Sequence, residues 1–146
     1  MIALRAYYLF LFVSIGALLP LLALTLEARG FTPSEYAWIV TLVPLCRIVA
    51  PPLWGAVADR WTGRAALLRF NALGAGVAMV LLARPSGFTF SFFAFALWAV
   101  FGTGLMPIAD TSAHAALGAR SADFGLVRVY GSYGFALAAT GLALFG

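Results

Sequence analysis

Apolar residues run along this chain in long stretches, and polar residues gather in the short breaks between them. Five stretches stand out, approximately at 6–26, 36–57, 65–83, 88–109 and 129–145. Crossing about 30 Å of hydrocarbon at 1.5 Å per residue takes roughly 20 apolar residues, so each stretch is predicted to be a membrane-spanning helix. The breaks read "EARGFTPSE", "ADRWTGR", "RPSG" and, the only long one, "DTSAHAALGARSADFGLVR". The pattern predicts an all-α fold, a polytopic transmembrane helix bundle of about five spans. The first stretch follows Arg5, as a cleaved signal would, but its apolar part exceeds the usual roughly 7 to 15 residues, contains Pro20 and is followed by further spans.

Composition agrees with a lipid solvent. Of 146 residues, 64% are hydrophobic and 10% charged, and the mean hydropathy is +1.01. A water-soluble domain carries about a quarter of its residues charged. The net charge of +4 and pI near 9.8 do not point to nucleic acid, because the nine bases are all Arg, are scattered and never form a run. With the N-terminus inside, Arg5, Arg60, Arg64, Arg69, Arg120 and Arg128 are cytoplasmic or juxtamembrane and only Arg29 and Arg84 lie outside, the bias expected of cytoplasmic loops. An inner (plasma) membrane protein with a cytoplasmic N-terminus follows. The single cysteine, Cys46, excludes an internal disulfide, and His114 has no second His or Cys near it, so neither metal nor cofactor is expected.

Small residues recur at helical spacing, as in Ala72 with Gly76, Gly74 with Ala78, and Gly134 with Ala138, where helices can approach closely in lipid. Proline within a span frees the carbonyl four residues earlier: Pro20 frees Gly16, Pro44 frees Val40, Pro51 frees Arg47 and Pro52 frees Ile48. Freed carbonyls are tolerated where protein or a watery cavity satisfies them, so the second helix is predicted to line something.

Three groups of residues carry candidate chemistry. Arg47 lies near the middle of the second span, where a charge costs at least about 2.5 to 3.5 kcal/mol on insertion scales. It pairs with an acid of another helix or the freed carbonyls beside it, it is the counter-ion of an anionic solute or part of a proton-linked network, or it snorkels to the interface from a span that sits at a different depth. Asp110 ends the fourth span and Arg128 begins the fifth, and Arg128, Ser132 and Phe135 fall at i, i+4 and i+7 on one face. A guanidinium fork, a hydroxyl and an aromatic plate suit a small polar solute with a flat side, and the residues equally suit an interfacial ion pair with ordinary packing beside it. Between the second and third spans, "GAVADRWTGRAA" places Asp59 where it can accept from the amides opening the next helix and from the arginines, clamping two helices together.

That loop resembles the major facilitator superfamily, whose second-to-third connection carries Gly-x-x-x-Asp-Arg-x-Gly-Arg. Gly55, Asp59, Arg60, Gly63 and Arg64 match it, although Trp61 and Thr62 together stand where the pattern has one residue. The segment "LMPIADTSAHAALGARSADFGLVRVYGSYGFALAATG" is similar to the branch holding lactose permease and the phenylpropionate permeases. In that branch an acid late in the fourth helix and an arginine early in the fifth bind substrate, and Asp110, Arg128, Ser132 and Phe135 fall on its binding positions. Phe135 stands where the branch's sugar carrier has Trp, and the "GLMPIAD" and "VRVYGSYGF" wording together with Arg47 look more like the phenylpropionate type. The resemblance implies a twelve-helix carrier of two six-helix halves, of which 1–146 is a partial N-terminal half. It further implies proton-coupled symport of an aromatic carboxylate or of a sugar or nucleoside, with the missing C-terminal half as partner. The chain alone is expected to be inactive, since alternating access rocks one half against the other. The absence of a polar tail after "LALFG" favours a fragment over the rival reading, a small oligomerising membrane protein acting as carrier or assembly subunit. A membrane enzyme has no support: there is no His cluster, no Gly-x-Ser-x-Gly and no pair of acids.

Overall fold

A computed structural model describes residues 2–60 and 63–145 and shows five α-helices: α1 (Ile2–Ala28), α2 (Pro33–Arg60), α3 (Arg64–Ala83), α4 (Phe88–Leu117) and α5 (Phe124–Phe145). No strand occurs among these residues. The prolines stay inside their helices, Pro20 in α1, Pro44, Pro51 and Pro52 in α2, and Pro107 in α4. Helices α1, α2 and α3 are each long and apolar enough to cross a membrane. So is the helical run Phe88–Leu144, whose 57 residues would rise nearly three times the thickness of a hydrocarbon core at about 1.5 Å each. It is interrupted by a 3₁₀ segment (Gly118–Asp123) in which Arg120 leaves helical geometry, so it supplies two spans.

The long polar connection expected after Ala109 is therefore mostly helix, and this corrects the expectation. Its hydroxyls bond back to the preceding turn, Thr111 Oγ1 donating to the Pro107 carbonyl at 3.0 Å and Ser112 Oγ to the Ile108 carbonyl at 2.6 Å. The alanines that follow are the strongest helix formers. Gly118, at φ 52°, ends the α-helix, and Arg120 closes the 3₁₀ segment on Asp123 at 2.8 Å.

Two compact units form. In the first, α1 packs along α5 with the last turn of α4. The Arg5 guanidinium lies 5.3 Å from the Tyr130 ring centre, the Leu9 carbonyl faces Gly134, and Gly16 faces Ala138. These contacts rise together along both helices, so α1 and α5 run in the same direction, as spans separated by an even number of crossings must. Gly134 sets the distance. A Cβ there would run into the backbone carbonyl of Leu9, which cannot rotate away, and one at Gly131 would meet the Phe12 ring at 2.7 Å. Tyr8 is fully buried and meets Phe124 edge to face at 6.2 Å between ring centres.

The second unit holds α2, α3 and α4 as far as Ser112. Ala50, Trp54, Leu67 and Ile108 form its core, with Phe101 packed against them. The Trp54 ring centre lies 5.5 Å from that of Phe101, and Phe101 stacks over Gly74, where a Cβ would come within 2.6 Å of the ring. Gly74 and Ala78 are thus a packing seam, whereas nothing lies within 4 Å of a Cβ built on Gly76. At the opposite end of α3 from its first residue, Arg29 donates to the Leu82 carbonyl at 2.9 Å and to that of Ala83 at 3.0 Å, capping the helix. Thr32 and Glu35 cap the start of α2: the Thr32 amide donates to Glu35 Oε2 at 2.8 Å and the Glu35 amide to Thr32 Oγ1 at 3.4 Å.

Glycine-to-alanine changes separate the two kinds of small residue. Both gain about 1 kcal/mol of helix propensity, so Gly76→Ala is expected to be neutral or stabilising, while Gly134→Ala loses about 1 to 3 kcal/mol to overpacking. Thermal unfolding in detergent reads the difference, and equal midpoints for the two variants would show that the α1–α5 approach is not limiting.

Candidate functional site

The face predicted on α5 is present. Arg128, Ser132 and Phe135 are all exposed along it, and the Arg128 guanidinium lies 6.0 Å from the Phe124 ring centre. Phe135 is 48% exposed, because one ring edge rests against α1, with Cδ2 3.2 Å from where a Gly16 Cβ would stand. The ring thus has one packed side and one open side, the geometry of a plate held in place from behind. Around Phe124 the aromatic contacts continue: the His114 ring centre lies 4.2 Å away and Tyr8 meets it from α1.

Arg47 and Asp110 belong to the α2–α4 unit. Arg47 is exposed within α2, between the exposed residues Leu45, Ile48 and Val49. Asp110 is half-buried in α4, three residues beyond Pro107. Neither residue sits at a helix end, and Pro51, four residues beyond Arg47, leaves that residue's carbonyl without its helical donor.

The loop residues are placed less as expected. Gly55, Asp59 and Arg60 lie on the last turns of α2, all exposed, and nothing approaches within 4 Å of a Cβ on Gly55. Gly63, at φ 119°, makes the turn that only glycine enters without strain, and Arg64 opens α3. The first turn of α3 has no side-chain cap, and Asp59 makes no hydrogen bond or ion pair among the described residues. Asp59 thus stands on the last turn of α2, four residues before Gly63, and the clamp expected of it falls on a turn whose Trp61 and Thr62 are not among the described residues. Trp61 and Thr62, the two residues that depart from the pattern, lie outside the described residues.

Three polar residues of structural weight were not anticipated. Trp54 Nε1 donates to the Val100 carbonyl at 2.8 Å and ties α2 to α4. Asn71 is fully buried in α3, a placement that its position inside an apolar run could have signalled. Arg29, assigned only a topological role, caps α3, and no sequence signal links it to a carbonyl more than fifty residues away.

Comparison with known proteins places this geometry in a family. The chain is 30% identical over 133 residues to the maltose permease of Geobacillus stearothermophilus, covering 90% of this chain and 34% of that protein. It is 26% identical over 137 residues to the uncharacterized transporter YwbF of Bacillus subtilis (strain 168), covering 93% of this chain and again 34% of the relative. The chain thus spans about a third of the length of these relatives. No solved structure matches it. The model of the MFS_1 like family matches residues 1–145, and with helices built to cross a bilayer this multi-pass membrane protein belongs to that family of the major facilitator transporters.

Proposed function

We propose that the protein is the N-terminal part of a secondary active transporter, a proton-coupled symporter of a small organic solute, whose ligands here are Arg47, Asp110, Arg128, Ser132 and Phe135. The observation that carries this reading is the α5 face, where a guanidinium, a hydroxyl and a half-open ring are all exposed along an apolar helix. Arg128 opens this face near the membrane boundary, and an exposed hydroxyl and half-open ring one and two turns further along suit water, solute or further protein better than lipid. Arg47 on α2 supports the same conclusion. Helices beyond these five, for which relatives about three times this length have room, complete the site and supply the half against which this one rocks. Two guanidiniums favour a carboxylate solute, and the name of the maltose permease favours a sugar.

The membrane is the inner (plasma) membrane, with the N-terminus cytoplasmic. Reporter fusions after Glu27, Gly63, Ser86 and Arg120 are expected to alternate outside, inside, outside, inside. A fusion after Gly63 that reports outside reverses the map.

Arg47 distinguishes the solute classes. In the whole carrier, Arg47→Ala is expected to abolish uptake of an aromatic carboxylate, and Arg47→Lys to retain part of it, because a charge contact tolerates that exchange better than a bidentate one. Undiminished carboxylate uptake by the alanine variant, at normal expression, removes Arg47 from the ligand set.

Asp110 and Arg128 are assigned as joint ligands, with Phe135 as the plate. Asp110→Asn and Arg128→Gln are each expected to abolish solute binding, and the double neutral variant to remain inactive. A purely structural pair behaves otherwise, because removing both charges also removes the cost of leaving one unpaired. Phe135→Ala is expected to weaken binding by about 0.5 to 1.5 kcal/mol beyond the lost contact area while leaving insertion intact. Recovery of binding in the double variant argues for the structural pair instead.

A further inference from the structure

Three helices meet at Gly104 of α4, whose missing Cβ makes room for the edge of the Trp54 indole, with Cδ1 2.5 Å from where that Cβ would stand. A Cβ there would lie 2.7 Å from Trp54 Nε1 on α2 and 3.0 Å from Asn71 Oδ1 on α3, so an indole donor and an amide acceptor flank the same glycine. The donor is directed elsewhere, to the Val100 carbonyl at 2.8 Å. That carbonyl is also the regular α-helical acceptor of the Gly104 amide, four residues on, and does not depend on the indole for a partner.

The acceptor is in the opposite position. Asn71 is fully buried; its Nδ2 donates to the Leu67 carbonyl of its own helix at 3.2 Å, and its Oδ1 is buried with no hydrogen-bond partner. Turning the amide over does not relieve this, because it would set Oδ1 against the Leu67 carbonyl oxygen, two acceptors face to face where Nδ2 now donates at 3.2 Å. A buried acceptor left unmade costs its full desolvation, and within a span no water competes for it.

We infer that the Trp54 indole N–H alternates between two acceptors, the Val100 carbonyl and Asn71 Oδ1, so that α2 is bonded to α4 in one state and to α3 in the other. Moving the N–H to Asn71 satisfies the amide and leaves Val100 with its helical bond. Moving it back restores the α2–α4 tie. The Val100 state keeps the indole bonded at 2.8 Å and packed against Phe101 with ring centres 5.5 Å apart, whereas the Asn71 state leaves no buried acceptor unmade, so packing favours one arrangement and hydrogen bonding the other. Gly104 is what permits the exchange, since any side chain there fills the space between donor and acceptor. No ionisable group takes part, and the inference stands independently of the proposed solute ligands.

The test uses the chain in detergent micelles with [¹⁵N]tryptophan, the Trp54 indole resonance being assigned by its loss in Trp54→Phe. Relaxation dispersion is expected to show microsecond-to-millisecond exchange at this N–H, and Asn71→Leu to abolish it, leaving one sharp resonance. Absence of exchange in the unsubstituted chain, or exchange that persists in Asn71→Leu, overturns the inference. If the leucine variant fails to insert, [¹⁵N]asparagine labelling reads the other partner. The Asn71 side-chain amide is then expected to exchange at the same rate as the Trp54 indole, and unequal rates overturn the inference as firmly.

Discussion

Hydrocarbon offers no hydrogen-bond partner, so each polar group that this chain carries into the membrane must find one within the protein. The hydroxyls meet this constraint locally. Ser14, Thr25, Thr41, Thr103, Thr111 and Ser112 all donate to the carbonyl one turn earlier, at 2.6 to 3.0 Å. Such bonds cost a helix little and let polar residues stand on apolar spans without forcing a break. The same economy carries α4 through Thr111 and Ser112, where a count of polar residues alone suggests a loop.

Larger polar groups cannot be absorbed that way, and they shape how helices meet. Trp54 reaches across to a carbonyl of α4, and Arg29 spends two donors on the last carbonyls of α3. Arg5 and Arg128 lie over aromatic rings of α5, and Arg120 is held by a carboxylate three residues away. The arginines that count alike in a topology argument thus do physically different work. Charge bias speaks to which side of the membrane a loop occupies, and partner geometry to which helices are tied together.

Helices were legible in the sequence because apolar length and proline position act locally. Thr-Pro-Ser-Glu even spells the cap that opens α2, since capping needs only residues three apart. The three small-residue pairs read identically, yet Gly74 with Ala78 and Gly134 with Ala138 face neighbouring helices while Gly76 meets nothing within 4 Å. Spacing identifies a groove and cannot say what enters it. The α5 face at Arg128, Ser132 and Phe135 was legible because three residues at helical period must share a side. Asn71 beside Gly104 was not, because their juxtaposition depends on how α3 crosses α4.

Partner matching separates structural from functional polarity. A side chain whose donors and acceptors are already matched within the described residues, such as Arg29 or Thr32, has little left to offer a solute. Arg47 lies at the other extreme, exposed in the middle of α2 and making no ion pair among those residues. The three prolines of that helix act in the same direction, since each withdraws a donor from a carbonyl and leaves the backbone more polar than a regular span would be. A helix with a charge at mid-depth and a weakened hydrogen-bond ladder is poorly matched to lipid and well matched to a hydrated path. That mismatch, more than any single contact, is the physical ground for the proposal that α2 lines the route of a transported solute.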